Sequence, residues 1–272
     1  MTTETITILA AMVLVVGFLY SSVGHAGASG YLAVMALMGV APSVMKPTGL
    51  ILNILVAVVG TVQFWRAGYF NWKLFWPFAL TSVPLALWGG TMDLGPEYYK
   101  PFIGLVLLLS AWRIAATAMR RSRASEQPTT PVRLPVALGV GALLGFVSGL
   151  TGVGGGIFLS PLLLLCRWAE PKQTAAVSAA FILVNSISGI VGWASKPGAT
   201  LPSMRMLVPL AVAAVIGGMI GSYLGSRKFD TRMIRWMLAV VLVIAGAKLV
   251  WEGVGTMTRG TGSDGRGVPM KS

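Results

Sequence analysis

Acidic residues are scarce in this sequence, with eight Asp and Glu against twenty-one Lys and Arg in 272 residues. None of the eight lies well inside an apolar run, Glu252 standing only at the end of the last one, so a carboxylate relay or a cation site of the usual membrane kind is excluded. Cysteine occurs once, at Cys166, which rules out an internal disulfide. Histidine also occurs once, at His25, so clustered His ligands for a metal are absent. A nucleotide-binding loop of the GxxxxGK[ST] type is missing too, and ATP is not the direct energy source unless a partner subunit supplies it. No cofactor and no metal are expected. Charged residues make up only 11% of the chain, against about 25% in a soluble domain.

What is abundant is apolar sequence: 55% hydrophobic residues and a mean hydropathy of +0.78. The net charge of +13 does not indicate nucleic acid, because Lys and Arg sit in short segments between apolar runs, as in the cytoplasmic loops of membrane proteins. The N-terminal run 5–20 follows Glu4 rather than a basic region and continues past any plausible cleavage site. It reads as a first membrane helix kept in the mature protein.

At about 20 apolar residues per crossing, spans are expected near 47–65, 72–92, 98–117, 174–194, 205–225 and 232–251. Stretches 6–40 and 135–168 are too long for one crossing and too short for two generous ones. Each is interrupted by small residues, Gly24–Gly30 and Gly152–Gly156, and each reads as a pair of short or discontinuous helices meeting at the break. The fold class expected is all-α: a polytopic membrane protein with about 8–10 membrane segments.

The halves resemble each other. Gly17-Phe18 matches Gly145-Phe146 and Gly24 matches Gly152 at an offset of 128 residues. Beyond Arg167–Glu170 the offset becomes 132, and it relates Asn53 to Asn185, Pro77 to Pro209 and Gly89 to Gly221. Residues 1–117 are thus expected to form a first transmembrane repeat and 135–252 a second. Between them lies a basic cytoplasmic linker, 118–134, and a flexible tail follows, 253–272. The equivalent loops 93–97 (Asp93, Glu97) and 226–232 (Arg227, Lys228, Arg232) carry opposite charge, which places them on opposite sides of the membrane. An odd number of crossings per repeat, hence inverted repeats each with a broken or re-entrant helix, accounts for this. Lys196 and Arg205, on the expected outside, oppose it. Both termini lie outside if each broken stretch crosses twice.

A glycine-rich break beside a helix start leaves backbone N–H groups unpaired at the positive end of a helix, which suits an anion. In hydrocarbon such irregular backbone is tolerated only where protein or a cavity surrounds it. Thr151, Gly152, Val153, Gly154, Gly155 and Gly156 form one candidate; Gly24, His25, Ala26, Gly27, Ala28 and Ser29 form the other. The competing reading is that the glycines allow close helix packing. Asn53 and Asn185 are candidate amide donors or interhelical hydrogen bonds, and His25 is a candidate donor or proton carrier. Ser178 and Ser188 add possible hydroxyls.

The motif Gly152-Val-Gly-Gly-Gly-Ile-Phe-Leu-Ser-Pro161, with its looser partner Gly24-His-Ala-Gly-Ala-Ser-Gly-Tyr-Leu-Ala33, resembles the TauE/SafE sulfite exporter family over roughly residues 8–252. That resemblance implies a multi-pass carrier in the bacterial inner membrane, moving sulfite, sulfoacetate or other organosulfonates. The partners expected are such a sulfur oxyanion and the lipid bilayer, with no nucleic acid; a homodimer is left open. Two other readings stand beside a secondary transporter: an anion channel, and an intramembrane enzyme using Ser29 and His25.

Overall fold

The computed structural model describes residues 2–22, 25–92, 95–119 and 130–225, and beyond these 236, 239–240, 242–244 and 246–251. Gly24, Asp93, linker residues 120–129, the basic loop 226–232 and the tail from residue 252 lie outside the described residues. Among the described residues there is no strand. The helices are α1 (Thr3–Ser22), α2 (Ala28–Leu37), α3 (Pro42–Arg66), α4 (Trp72–Thr91), α5 (Pro96–Met119), α6 (Leu134–Thr151), α7 (Gly156–Leu165), α8 (Pro171–Ala194) and α9 (Met204–Gly225). A further apolar helical stretch follows at Leu242–Trp251.

Local chemistry sets these boundaries. α3 and α8 start on Pro42 and Pro171, where a missing N–H costs nothing because the first turn has no acceptor for it. Asn71 caps α4, its side-chain oxygen accepting from Leu74 N–H at 3.2 Å. α3 therefore begins five residues before the span expected at 47–65. Among the described residues, five helices (α1, α3, α6, α8 and α9) are long and apolar enough to cross a membrane. α2 and α7 have ten residues each, about 15 Å of helix, or half the hydrocarbon thickness. The two broken stretches are thus each a full-length helix followed by a half-length one.

The two halves interlock. Gly141, Gly145 and Gly149 of α6 lie one turn apart on a face that abuts the carbonyls of Phe78, Ser82 and Ala86 of α4. A side chain at any of the three would collide with backbone, so close helix approach depends on glycine here. The same contact recurs with the halves exchanged: Gly17 of α1 faces Ala214 O, as Gly145 faces Ser82 O, and Gly221 meets Phe18 O, as Gly89 meets Phe146 O. Both correspondences follow the 128 and 132 offsets found in the sequence. α1 therefore packs on a helix of the second half, and α6 on one of the first.

At the centre, the equivalent helices α3 and α8 cross antiparallel, with Leu50 opposite Gly189, Asn53 opposite Ser186 and Gly60 opposite Ala179. α1 runs parallel to α9, Leu14 facing Gly217 and Phe18 facing Gly221. α3 is also parallel to α9, with Val56 on Gly218 and Gln63 accepting from Ser222 Oγ. α1 and α3 consequently point the same way, and α2 with its flanking residues carries the chain back between them. Large apolar side chains on the outer faces, among them Leu80, Leu143, Val208 and Ile220, are exposed, as befits surfaces that meet lipid.

Candidate functional site

The second break is built by three left-handed glycines. Gly152 ends α6 at φ 82°, Gly154 continues at φ 82°, and Gly155 caps α7 at φ 71°. An L side chain is strained at such angles. The break is wholly buried. Thr151 Oγ1 donates to Val147 O at 2.7 Å and accepts from Val153 N–H at 3.2 Å. Gly156 N–H returns to Gly154 O at 2.9 Å. Among the described residues, the N–H groups of Gly154 and Gly155 make no hydrogen bond. Asn53 Oδ1 and Ser148 Oγ, both buried beside this segment, also have no partner. Lys46 O, Asn53, Ile182 and Phe181 crowd around the break.

The first break has a looser design. His25 is half-buried and donates its N–H to Tyr20 O at 3.0 Å. Gly27 precedes α2 at φ 99°, and Ala26 and Ala28 are buried. Ser29 Oγ is 2.7 Å from Tyr20 OH of α1, a buried bond in which either hydroxyl can donate. Tyr31 OH, buried and without a partner among the described residues, lies against Gly27 and Gly17.

α3 brings the two breaks together. Read from its N-terminus, Lys46 and Gly49 touch Gly152, Asn53 Nδ2 donates to Val153 O at 3.2 Å, and Ala57 and Gly60 reach the cavity walled by His25 and Ala26. That cavity, of about 20 Å³, is completed by Ala179 of α8 and by Gly218 and Ser222 of α9. It has room for a water or two. A second cavity, of about 120 Å³, lies at the other end of α3, between Ala41, Pro42, Met45, Tyr99 and Lys100. Tyr99 joins it to the second break by donating to Thr151 O at 3.2 Å. The two breaks thus lie against successive segments of α3, the second along Lys46–Asn53 and the first at the cavity beside Ala57 and Gly60.

The two asparagines do not form a pair. Asn53 spans from α3 to the second break and to Ser186 Oγ at 3.4 Å, whereas Asn185 Nδ2 folds back on Phe181 O of its own helix at 2.8 Å. Ser178 Oγ accepts from Ser160 Oγ, and Ser188 Oγ donates to Val184 O. Sequence reasoning passed over Lys46, which is only 4% exposed and donates to Gly89 O, Gly90 O and Met92 O at 3.0–3.3 Å. The signal that could have found it is Ala41-Pro42-Ser43, a helix start that brings Lys46 inside the span.

A family model described as "Sulfite exporter TauE/SafE" matches residues 9–249, through both breaks and both halves. The chain belongs to the TauE/SafE family. Relatives cover most of its length. "Probable membrane transporter protein y4hK" of Sinorhizobium fredii is 42% identical over 244 residues, covering 89% of this chain and 97% of that protein. "Probable membrane transporter protein YjnA" of Bacillus subtilis is 28% identical, covering 88% and 97%. No solved structure matches. As a family member with this set of apolar helices, the protein is a multi-pass membrane protein and a membrane transporter, which implies a small-molecule substrate.

Proposed function

We propose that the protein is a secondary-active carrier of small sulfur-containing anions such as sulfite, sulfoacetate or other organosulfonates, working by alternating access in a bacterial inner membrane. The observation that carries this reading is that two helix breaks lie along α3, one of which holds buried Gly154 and Gly155 N–H groups with no hydrogen bond among the described residues. Amide donors at the positive end of α7 can replace part of an anion's hydration without a full buried charge. Val153–Gly156 and His25–Ala28 would hold the ion, and Asn53 would fix the second break in place. Asn185 would serve only after releasing Phe181 O.

Inverted repeats are part of the same reading. The antiparallel crossing of equivalent helices α3 and α8, and the common direction of α1 and α3, support five passes per half, with the broken stretches each passing twice. Residues 1–117 and 135–252 would then be the two repeats, joined by a cytoplasmic linker. The cavity beside the first break is small beside a sulfonate in this conformation, so the anion would enter it as the helices part.

Flux in proteoliposomes tests the proposal, using sulfite, thiosulfate, sulfoacetate, taurine and sulfate with and without a pH gradient. Saturable, counterflow-stimulated movement of at least one sulfur anion is expected. Gly60→Leu, placed where an added side chain meets only Ala179 at 3.6 Å, should fill the first cavity and abolish flux while the protein remains folded. Unsaturable flux with single-channel currents would indicate a channel instead, and no sulfur-anion flux at all would remove the substrate class.

A further inference from the structure

The repeat offsets relate the wall of the first-break cavity to a second set of residues. Ala57, Gly60, Gly218 and Ser222 have as counterparts Gly189, Gly192, Ala86 and Gly90. The first set encloses a cavity between α3 and α9; the second is shut. A methyl group at Gly90 would strike Gly189 O, and one at Gly192 would strike Leu87 O. α4 accordingly lies along α8 far more extensively than α9 lies along α3, although the two pairs are equivalents. Equivalent packings that differ in this way are two settings of one joint.

One side chain distinguishes them. The buried Lys46 ammonium reaches across from α3 to the last carbonyls of α4, those of Gly89, Gly90 and Met92. A cation is held well there, because these carbonyls end a helix and carry its negative pole. The counterpart of Lys46 is Ser178, which carries no charge and accepts from Ser160 within its own half. Among the described residues, the closed joint alone therefore has a cationic latch.

We infer that the α4–α8 contact around Gly90, Gly189 and Gly192 is the second gate of the transport path, and that Lys46 is the positioning residue that keeps it closed. The inference rests on the alternating-access reading and adds the moving surface to it. Opening requires the end of α4 to leave α8 and Lys46 to release at least part of its carbonyl cage, while α9 closes on α3. Two discrete packings exchanged in this way follow the usual behaviour of interlocked repeats.

Labelling with a membrane-impermeant maleimide tests this in the full chain with Cys166→Ser, in vesicles of each orientation. Ser188→Cys reports the closed joint and Ser222→Cys the open one. With Lys46 intact, Ser222→Cys should label and Ser188→Cys should be protected. Lys46→Met should raise labelling of Ser188→Cys by roughly tenfold and slow that of Ser222→Cys, the signature of a shifted two-state population. Gly192→Ala, which wedges α4 from α8 without touching Lys46, should do the same and decides the matter if Lys46→Met does not fold. Unchanged rates at both reporters would overturn the inference, as would parallel increases at both, which signal general loosening. Because labelling needs no substrate, a wrong substrate class leaves the result intact; saturable flux with an immovable gate would sink the gate alone.

Discussion

At the scale of single residues, polar groups with the same sequence signature do different work. Asn53 and Asn185 are matched by the repeat, yet only Asn53 bonds across helices, to Val153 O and Ser186 Oγ. Asn53→Leu should therefore destabilise the protein by about 1 kcal/mol, since it orphans a carbonyl in the second break. Asn185→Leu gives up a bond to a carbonyl of its own helix, and it should change stability by less than about 0.5 kcal/mol. Reversible unfolding in mixed detergent micelles measures both. Equal losses in the two variants would contradict the geometry. The glycines of the second break were legible as a break from sequence because their cost inside a helix demands a reason. Lys46 was not, because a lysine at the edge of an apolar run looks like a loop residue until the carbonyls of α4, more than forty positions away, are seen around it.

Among elements, close packing of glycine on backbone is what joins the halves. Gly145 and Gly139 share α6, but Gly145 presses on Ser82 whereas Gly139 has open space around it. Gly145→Val should cost at least about 2 kcal/mol through overpacking at the α4–α6 seam. Gly139→Ala should be neutral or stabilising by up to about 1 kcal/mol, from improved helix propensity. Thermal unfolding in detergent separates the two outcomes. The sequence reads each broken stretch as a pair of short or discontinuous helices, whereas the structure puts a full-length helix, α1 or α6, before a half-length one, α2 or α7. Their partners were not readable from the sequence, because the helical faces that meet them lie in distant parts of the chain.

For the molecule as a whole, the exchange of α1 and α6 between halves means that neither half is a self-contained bundle. In the proposed arrangement, five passes per half would place the 66–73 loop, with Arg66 and Lys73, on the cytoplasmic side and the 195–203 loop outside. In a Cys166→Ser background, Ser195→Cys should react with an impermeant maleimide on intact cells, and Ala67→Cys only after permeabilisation. The reverse pattern would invert the orientation; labelling of both from one side would refute the inverted arrangement. Lys196, which opposed that orientation in the sequence, sits 5.9 Å above the Trp193 ring, as a cation anchored on an interfacial aromatic can on either side.

By itself the sequence determined that this is a membrane protein of apolar helices, and its spacing pointed to two related halves, each broken by glycine. Those features are written in hydropathy, spacing and the cost of glycine, each of which acts over a turn or two of chain. Only the tertiary structure decided which helices touch, that the two breaks lie along α3, and that a buried lysine holds the carbonyls at the end of α4 where that helix packs on α8. Such facts depend on contacts between residues far apart in sequence, where equivalent stretches of the two halves can settle into different packings.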